Sequence, residues 1–135
     1  EGSALTNGKD SRISLSDGTL NNRVSFAYAP AADKAYCIVR FNGVQVIQNL
    51  NVSLGVSQTD NIKVAIRYKS GDSRMFINGV SVVSSSVTYS SASPALSELK
   101  FKSSTGGVGL EGKVKDVRTY NTALTDAELQ TLTTI

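Results

Sequence analysis

Apolar and polar residues alternate along several short stretches of the chain, and this period of two predicts strands with one face in a core. The clearest stretch is NIKVAIRYK at 61–69. Its even-numbered residues are all apolar or aromatic: Ile62, Val64, Ile66 and Tyr68. The turn-forming sequence SGDS follows, and RMFINGVSVV then returns. We therefore predict an antiparallel hairpin at 61–83.

The same pattern predicts further strands, separated by turn dipeptides such as Asp17-Gly18 and Asn42-Gly43, and it predicts a second tight turn or a bulge at Asn78-Gly79. The predicted strands cover 12–16, 23–29, 34–41, 44–50, 61–69, 74–83, 97–103 and 113–120. A Ser-rich stretch at 83–97 and a Gly-rich stretch at 103–112 are predicted loops. Turns recur every ~8–12 residues, which is the spacing of an all-β sandwich or barrel.

A short helix is predicted at the end of the chain, over 125–133. Thr125 followed by Glu128 forms a capping box, in which each side chain bonds the backbone amide of the other. Leu124 and Leu129 occupy the positions of a hydrophobic staple, and Leu132 extends their apolar face. Because so short a helix is unstable alone in water, we predict that it docks as a plug on the edge or end of the sandwich.

Composition indicates one globular domain, 1–135, of 135 residues with 40% apolar content. No run approaches the roughly 20 apolar residues of a membrane helix. The net charge of +3 comes from scattered basic residues rather than a cluster, which argues against a nucleic-acid partner. The single Cys37 excludes an internal disulfide and is expected to be buried. Since the only Met is Met75 and residues 1–10 lack the basic start and the apolar stretch of a signal peptide, we expect the C-terminal part of a longer chain.

Catalytic chemistry is poorly supported. The chain has no His, which removes Ser-His-Asp and Cys-His catalysis and the usual zinc sites. Glu111 and Asp116 are the nearest approach to a glycosidase carboxylate pair, but their spacing puts them on opposite faces of a regular strand. Oxygen ligands for calcium are sparse and are best represented by Asp17, Asn21 and Asn22, which are also good turn formers. We predict no enzyme activity, no metal site and no cofactor.

The residues from 61 to 132 resemble a known family. The strand NIKVAIRYK, the return RMFINGVSV, the later SELKFKSS and the closing GKVKDVRTYNTALTDAELQTL are similar to the laminin-G-like, concanavalin A-like lectin/glucanase domains. The opening SRISLSDGTLNNRVSFAYA resembles the versions found in bacteriophage tail fibres and tailspikes. The resemblance implies an all-β fold, a two-sheet antiparallel jelly-roll sandwich with one short C-terminal helix. It also implies that the concave face or the rim loops bind carbohydrate.

Sugar sites combine an aromatic platform with amide groups. Tyr28 and Tyr68 continue apolar alternations and are expected to face the core. The remaining candidates for carbohydrate contact are Tyr89, Tyr120, Asn121, Asn42 and Asn78. If the apolar residues of 61–69 face inward, Lys63, Arg67 and Lys69 share an outer face that favours an anionic polysaccharide, and Lys100 and Lys102 do the same on another strand.

Three functions are therefore compatible with the sequence. The first is a non-catalytic lectin-like module of a phage tail fibre or tailspike, located in the virion and binding a surface glycan of a bacterial host. The second is a structural cap that trimerises a fibre. The third is a carbohydrate-binding module of a secreted bacterial protein. The resemblance implies an opening strand that this chain lacks, and an uncovered sheet edge has to be protected. We therefore predict a homotrimer.

Overall fold

The computed structural model describes residues 1–90 and 95–135. Within those ranges the backbone forms short strands and one helix, and every strand pairing is antiparallel. The elements are β1 (Gly2–Ala4), β2 (Ser11–Ser16), β3 (Arg23–Tyr28), β4 (Lys34–Phe41), β5 (Val44–Ser53), β6 (Val64–Arg67), β7 (Ser73–Ile77), β8 (Val80–Ser85), β9 (Glu98–Lys100), β10 (Gly112–Val114) and α1 (Asp126–Thr133).

Two layers pack face to face. The first layer has the strand order β5-β4-β3-β2-β9. The second consists of β10-β1 and β6-β7-β8, which are joined where Gly2 and Ile62 exchange two backbone hydrogen bonds of 3.0 and 2.8 Å. The order β10-β1-β6-β7-β8 therefore runs across one continuous layer. The predicted all-β antiparallel sandwich with one short helix is confirmed.

The core lies between the layers and follows the alternation in the sequence. On β4, the alternate residues Ala35, Cys37, Val39 and Phe41 are buried and belong to the core cluster. Burial raises the pKa of the Cys37 thiol to about 12, so the reactive thiolate is absent at neutral pH. Tyr28 is buried as predicted.

Three predicted strands are longer than the observed ones, and a fourth is divided in two by a turn. The strands 61–69, 97–103 and 113–120 shrink to β6, β9 and β10. The predicted strand 74–83 is two strands, because Asn78 and Gly79 both adopt positive φ and turn the chain from β7 into β8; of the turn and the bulge predicted there, the structure has the turn. β1 was not predicted, and the predicted loop 83–97 includes residues 91–94, which lie outside the described part.

Helix α1 begins as the sequence predicts. Thr125 is the N-cap, its hydroxyl accepts from the Glu128 amide, and the Glu128 carboxylate accepts from the Thr125 amide at 2.7 Å. These bonds to Thr125 hold the pKa of Glu128 below its ordinary value. The capping box is confirmed.

The position of α1 corrects the prediction of a plug at the end or edge. The helix packs against β6, β7 and β8 together. Leu129 and Phe76 are both buried, yet neither belongs to the core cluster between the layers. The register pairs Phe76 with Ala65, on the side of β6 that faces away from the core. The helix therefore covers the outer face of the second layer, and Leu132, 37% exposed, is a weaker contact than predicted.

A buried glutamine joins three loops at one end of the sandwich. The Gln58 side chain is fully buried, and its amide nitrogen lies within 3.1 Å of the carbonyl oxygens of Ala29, Ala31 and Lys34. Its amide oxygen accepts from the backbone amide of Gly8 at 2.6 Å. Gln58 thus supplies partners for the Gly8 amide and for the Ala29 and Ala31 carbonyls, and it is a second donor to the Lys34 carbonyl, which also accepts from the Ala29 amide.

Candidate functional site

The most distinctive polar surface lies on the first layer, on the side turned away from the core. Val24 and Tyr28 on β3 and their partners Val39 and Ala35 on β4 point into the core. The intervening pairs must point outward because side chains alternate along a strand. These pairs are Arg23 with Arg40, Ser25 with Ile38, and Ala27 with Tyr36. Arg12 on β2 faces Ala27, and Gln45 and Gln48 on β5 face Arg40 and Ile38. We call this surface the arginine face; it comprises Arg12, Arg23, Arg40, Tyr36, Gln45 and Gln48.

Arg23 and Arg40 lie directly opposite each other on neighbouring strands. Directly opposed residues have Cβ atoms about 5 Å apart, and like charges at this spacing repel each other. Among the described residues, neither guanidinium forms an ion pair, and the Nε atom of each is buried without a hydrogen-bond partner. Burial, followed by the charges of Arg40 and Arg12, lowers the pKa of Arg23. The pair is therefore a local concentration of uncompensated positive charge.

The neighbours of this pair are already fixed in place. Arg12 forms a two-pronged ion pair with Asp10, at 2.9 and 2.8 Å, and this bond raises the pKa of Arg12. Its guanidinium also lies 5.8 Å from the centre of the Tyr36 ring. Gln45 accepts a long hydrogen bond of 3.4 Å from Arg40. Arg12 is thus neutralised locally, whereas Arg23 and Arg40 keep donors available.

This arrangement suits an oxyanion attached to a polar molecule. A guanidinium matches the geometry of a carboxylate, sulfate or phosphate group, and it binds such groups with charge-assisted hydrogen bonds. The exposed amides of Gln45 and Gln48 offer both donors and acceptors beside the pair. A sugar hydroxyl both donates and accepts hydrogen bonds, so these amides are suitable partners for it.

The five residues predicted to contact sugar lie in three separate places, and none of them belongs to the arginine face. Asn42 occupies the β4–β5 turn with positive φ, and its amide donates to the Ser90 carbonyl at 3.3 Å. Tyr89 lies nearby, since its ring stacks on Phe41 with the centres 4.5 Å apart and the planes 9° from parallel. Asn42 and Tyr89 are therefore brought together, but one face of the Tyr89 ring is already used in packing.

Tyr120 and Asn121 form the second group. Both are exposed and line a groove beside β6. Tyr120 bonds the side chain of Arg118, which raises the pKa of that arginine. Asn78, the third place, shapes the β7–β8 turn and accepts from the Lys63 amide at 2.9 Å. These residues remain predicted contacts, and they do not form a single site.

The predicted cationic face on 61–69 needs correction at Arg67. Its side chain is only 7% exposed, and it is bonded to Asp72 at 2.6 Å and to Asp126 of α1 at 2.8 Å. It also donates to the Leu124 carbonyl at 2.9 Å. Arg67 ties the helix to the sheet, because α1 covers the side of β6 that was expected to face solvent. On the other layer, Lys100 pairs with Glu98.

The acidic residues are also occupied in structural contacts. Glu111 pairs with Lys9, and Asp116 pairs with Arg118. Asp17 accepts from Thr19 and Asn22 within a turn, and these bonds lower its pKa. In the described part of the chain, no cluster of three or more His, Cys, Asp or Glu side chains is arranged to hold a metal ion.

The family model of the concanavalin A-like lectin/glucanases superfamily, in its Laminin_G_3 form, matches residues 4–130. The chain belongs to this superfamily. The family match and the observed sandwich therefore agree on the type of domain. Within the ranges that the structure describes, no helix of this lectin/glucanase domain is long and apolar enough to cross a bilayer.

Other similarities are distant. No curated protein matches the chain. A crystal structure of an S-layer domain-containing protein from Clostridium thermocellum matches with 16% identity over 95% of this chain, and with a TM-score of 0.43. The lectin/glucanase domain spans 64% of that structure. A likeness of this size says nothing about function.

Sequence inspection missed the arginine pair because each residue is unremarkable alone. Arg23 opens one strand and Arg40 lies near the end of the next. They meet only because the loop after Ala29 is centred midway between them, so that the hairpin register brings the two together. The signal was available in the spacing of the two arginines about that loop.

Proposed function

We propose that this domain is a non-catalytic lectin-like module, and that it binds an anionic carbohydrate on the arginine face. The observation that supports this is the opposed pair Arg23 and Arg40, which share a sheet face without an ion-pair partner among the described residues. Two like charges held side by side on neighbouring strands repel each other, and this repulsion lowers the stability of the fold. A ligand that supplies the missing negative charge offsets that cost.

The non-catalytic part of the proposal rests on the state of the carboxylates. Hydrolysis of a sugar bond needs two of them about 5–10 Å apart across the bond. Glu111 and Asp116 each pair with a different basic residue, Lys9 and Arg118. On the same side of the first layer, the Asp10 carboxylate is bonded to Arg12, and Glu98 on β9, which lies opposite Ser16, is paired with Lys100. A surface of cations and amides binds a sugar and leaves it unchanged.

The biological setting we propose follows from the resemblance of the opening sequence to phage tail fibres and tailspikes. In that setting the domain is part of a virion and recognises an acidic glycan on a bacterial host. A secreted carbohydrate-binding module would use the same surface in the same way. The two settings differ in what accompanies the domain and not in the chemistry of the arginine face.

A pair of polymers tests the function directly: dextran sulfate and unmodified dextran, which differ only in the sulfate groups. We expect dextran sulfate to bind in calorimetry and dextran to bind weakly or not at all. Arg23→Gln and Arg40→Gln together should lower the affinity at least about tenfold, since each removes charge-assisted hydrogen bonds worth roughly 1.5–3 kcal/mol. Binding should also weaken as salt is added.

The control removes the same net charge elsewhere. Lys69 and Lys113 are exposed and belong to the second layer or its loops, so Lys69→Gln with Lys113→Gln should change affinity less than about threefold. An equal loss in both double variants would mean non-specific attraction to a polyanion and would contradict a site on the arginine face. Binding to neither polymer, nor to any member of a bacterial glycan array, would reject the lectin-like function itself.

Self-association in a structural cap is the second candidate, and a group of exposed apolar side chains favours it. Leu99, Val114, Val117, Tyr120 and Leu132 are each 37–45% exposed and all line the groove beside β6. Such a group marks an interaction surface more often than isolated apolar residues do. If it forms the proposed homotrimer, sedimentation equilibrium at micromolar concentration should give three times the mass of 14.3 kDa. A stable monomer would contradict an obligate trimer.

A further inference from the structure

The second layer contains a groove at the place where β1 stops pairing with β6. At Gly2 and Ile62 the two segments exchange backbone hydrogen bonds. Beyond that point, no described strand pairs with the free edge of β6 between Val64 and Arg67. On the far side of the groove the chain continues from β10 through residues 116–124, which also line it. The groove has a volume of about 680 Å³.

Burial changes abruptly at the same place. Ile62, beside β1, is 1% exposed. Val64, Ile66 and Tyr68 continue the same apolar face of the strand, yet they are only half-buried. Their sequence is as apolar as that of a core strand. What they lack is a neighbour in the position that β1 occupies next to Ile62.

The opposite wall is shaped to receive a strand. The Lys115 amide donates to the Glu1 carbonyl at 2.9 Å, while the Glu1 amino group donates to the Asp116 carbonyl, also at 2.9 Å. Two residues thus face one, which is a β-bulge. The bulge lets Val114 and Val117, three positions apart, point to the same side. Both line the groove, and they are 38% and 42% exposed.

The backbone of β6 also offers hydrogen bonds at defined positions. Ile62 bonds Gly2, whereas the Lys63 carbonyl accepts from Asn78 on the β7 side. Successive residues of a strand bond alternately to the two sides. The amide and carbonyl groups of Val64 and Ile66 therefore face the groove, and those of Ala65 and Arg67 face β7.

We propose that this groove is a strand slot for an extended segment that directly precedes Glu1 and continues β1 between β6 and residues 116–120. This occupant follows from continuity with an existing pairing, because β1 already runs between the same two walls and its direction leads into the slot. The proposal is independent of carbohydrate binding. It also accounts for the exposed apolar group at the groove without a second copy of the chain.

The register of the incoming segment is fixed. The residue immediately before Glu1 faces Val64 and Val117, with its side chain in the core, and the third residue before Glu1 faces Ile66. The second and fourth residues point outward, as Glu1 does beside Lys115 and Asn61. The slot therefore takes apolar side chains at odd positions counted back from Glu1, and polar ones at even positions.

Two six-residue extensions of this chain test the slot and its register. Each alternates threonine and valine and has the same composition. The first places valine next to Glu1, and the second places threonine there. We expect the first to raise Tm by at least about 5 °C, and to slow hydrogen exchange at the amides of Val64 and Ile66 at least tenfold. The amides of Ala65 and Arg67, already bonded to β7, should change little.

The shifted extension should leave Tm and exchange close to those of the unextended chain, because it presents threonine to the core. Equal effects of both extensions, or no effect of either, would overturn the proposal. Protection of Val64 and Ile66 in the unextended chain that grows with protein concentration would also overturn it, because a second copy would then occupy the slot. An extension of alternating glycine and serine controls for added length.

Discussion

Replacing Gln58 by alanine is expected to lower the free energy of unfolding by roughly 3–5 kcal/mol. The substitution leaves the Gly8 amide and the carbonyls of Ala29 and Ala31 without their present partner, while the Lys34 carbonyl keeps the bond that it accepts from the Ala29 amide. Each buried polar group left unsatisfied costs about 1–3 kcal/mol, although water admitted to the new space offsets part of this. Chemical denaturation of the variant and the parent gives the difference directly.

Two further variants separate the loss of hydrogen bonds from the loss of volume. Gln58→Glu keeps the shape and still accepts from Gly8, but it sets a carboxylate oxygen against three carbonyl oxygens. We expect it to be as destabilising as Gln58→Ala at neutral pH, and to recover partly in acid, where the neutral carboxyl again donates. Gln48→Ala, at an exposed position on β5, should cost less than about 0.5 kcal/mol. A loss of similar size in Gln48→Ala would contradict the assigned role of Gln58.

The parts of the fold that the sequence predicted are those where local chemistry decides the structure. The sequence predicted β4 with its observed ends, Lys34 and Phe41, because KAYCIVRF is a largely apolar run that stops at the turn dipeptide Asn42-Gly43. Thr125 and Glu128 predicted the start of α1, because the capping box is made entirely within four residues. Neither prediction depends on which distant segment of the chain packs against that element.

The parts that were missed depend on contacts between distant segments. β1 has no alternation in its three residues, and Gly2 allows its backbone to lie close to that of β10. A Cβ atom at that position would collide with the Lys113 carbonyl oxygen. The outward side of β6 was expected to meet solvent, but α1 returns to cover it and takes Arg67 into ion pairs with Asp72 and Asp126.

The candidate site shows the same division. Residue type suggested tyrosines and asparagines as sugar contacts, and it cannot distinguish a ring free for stacking from one stacked on a neighbour, as Tyr89 is on Phe41. The expectation of a cationic surface arose from lysines and arginines on one strand. The opposed cations of the arginine face lie instead on two strands, Arg23 on β3 and Arg40 on β4, and only the register between these strands brings them together.

Replacing Leu129 by alanine is expected to cost roughly 2–4 kcal/mol in the free energy of unfolding. Leu129 is 4% exposed and provides the main apolar contact of α1 with the outer face of the second layer. Truncation leaves a cavity above β6–β8, and a helix of eight residues has little stability of its own to compensate. Urea denaturation followed by far-UV circular dichroism measures the loss.

Three companion variants divide the stability of α1 between docking and capping. Leu132→Ala should cost less than about 1 kcal/mol, because 37% of that residue is already in solvent. Thr125→Ala should cost about 1 kcal/mol, the usual value of an N-cap, and Thr125→Ser should retain most of it because the hydroxyl remains. If docking holds the helix, the order of loss is Leu129→Ala, then Thr125→Ala, then Thr125→Ser. Equal and negligible losses in all of them would mean that α1 is not packed on the sheet, and that Arg67 is left without its partner on the helix.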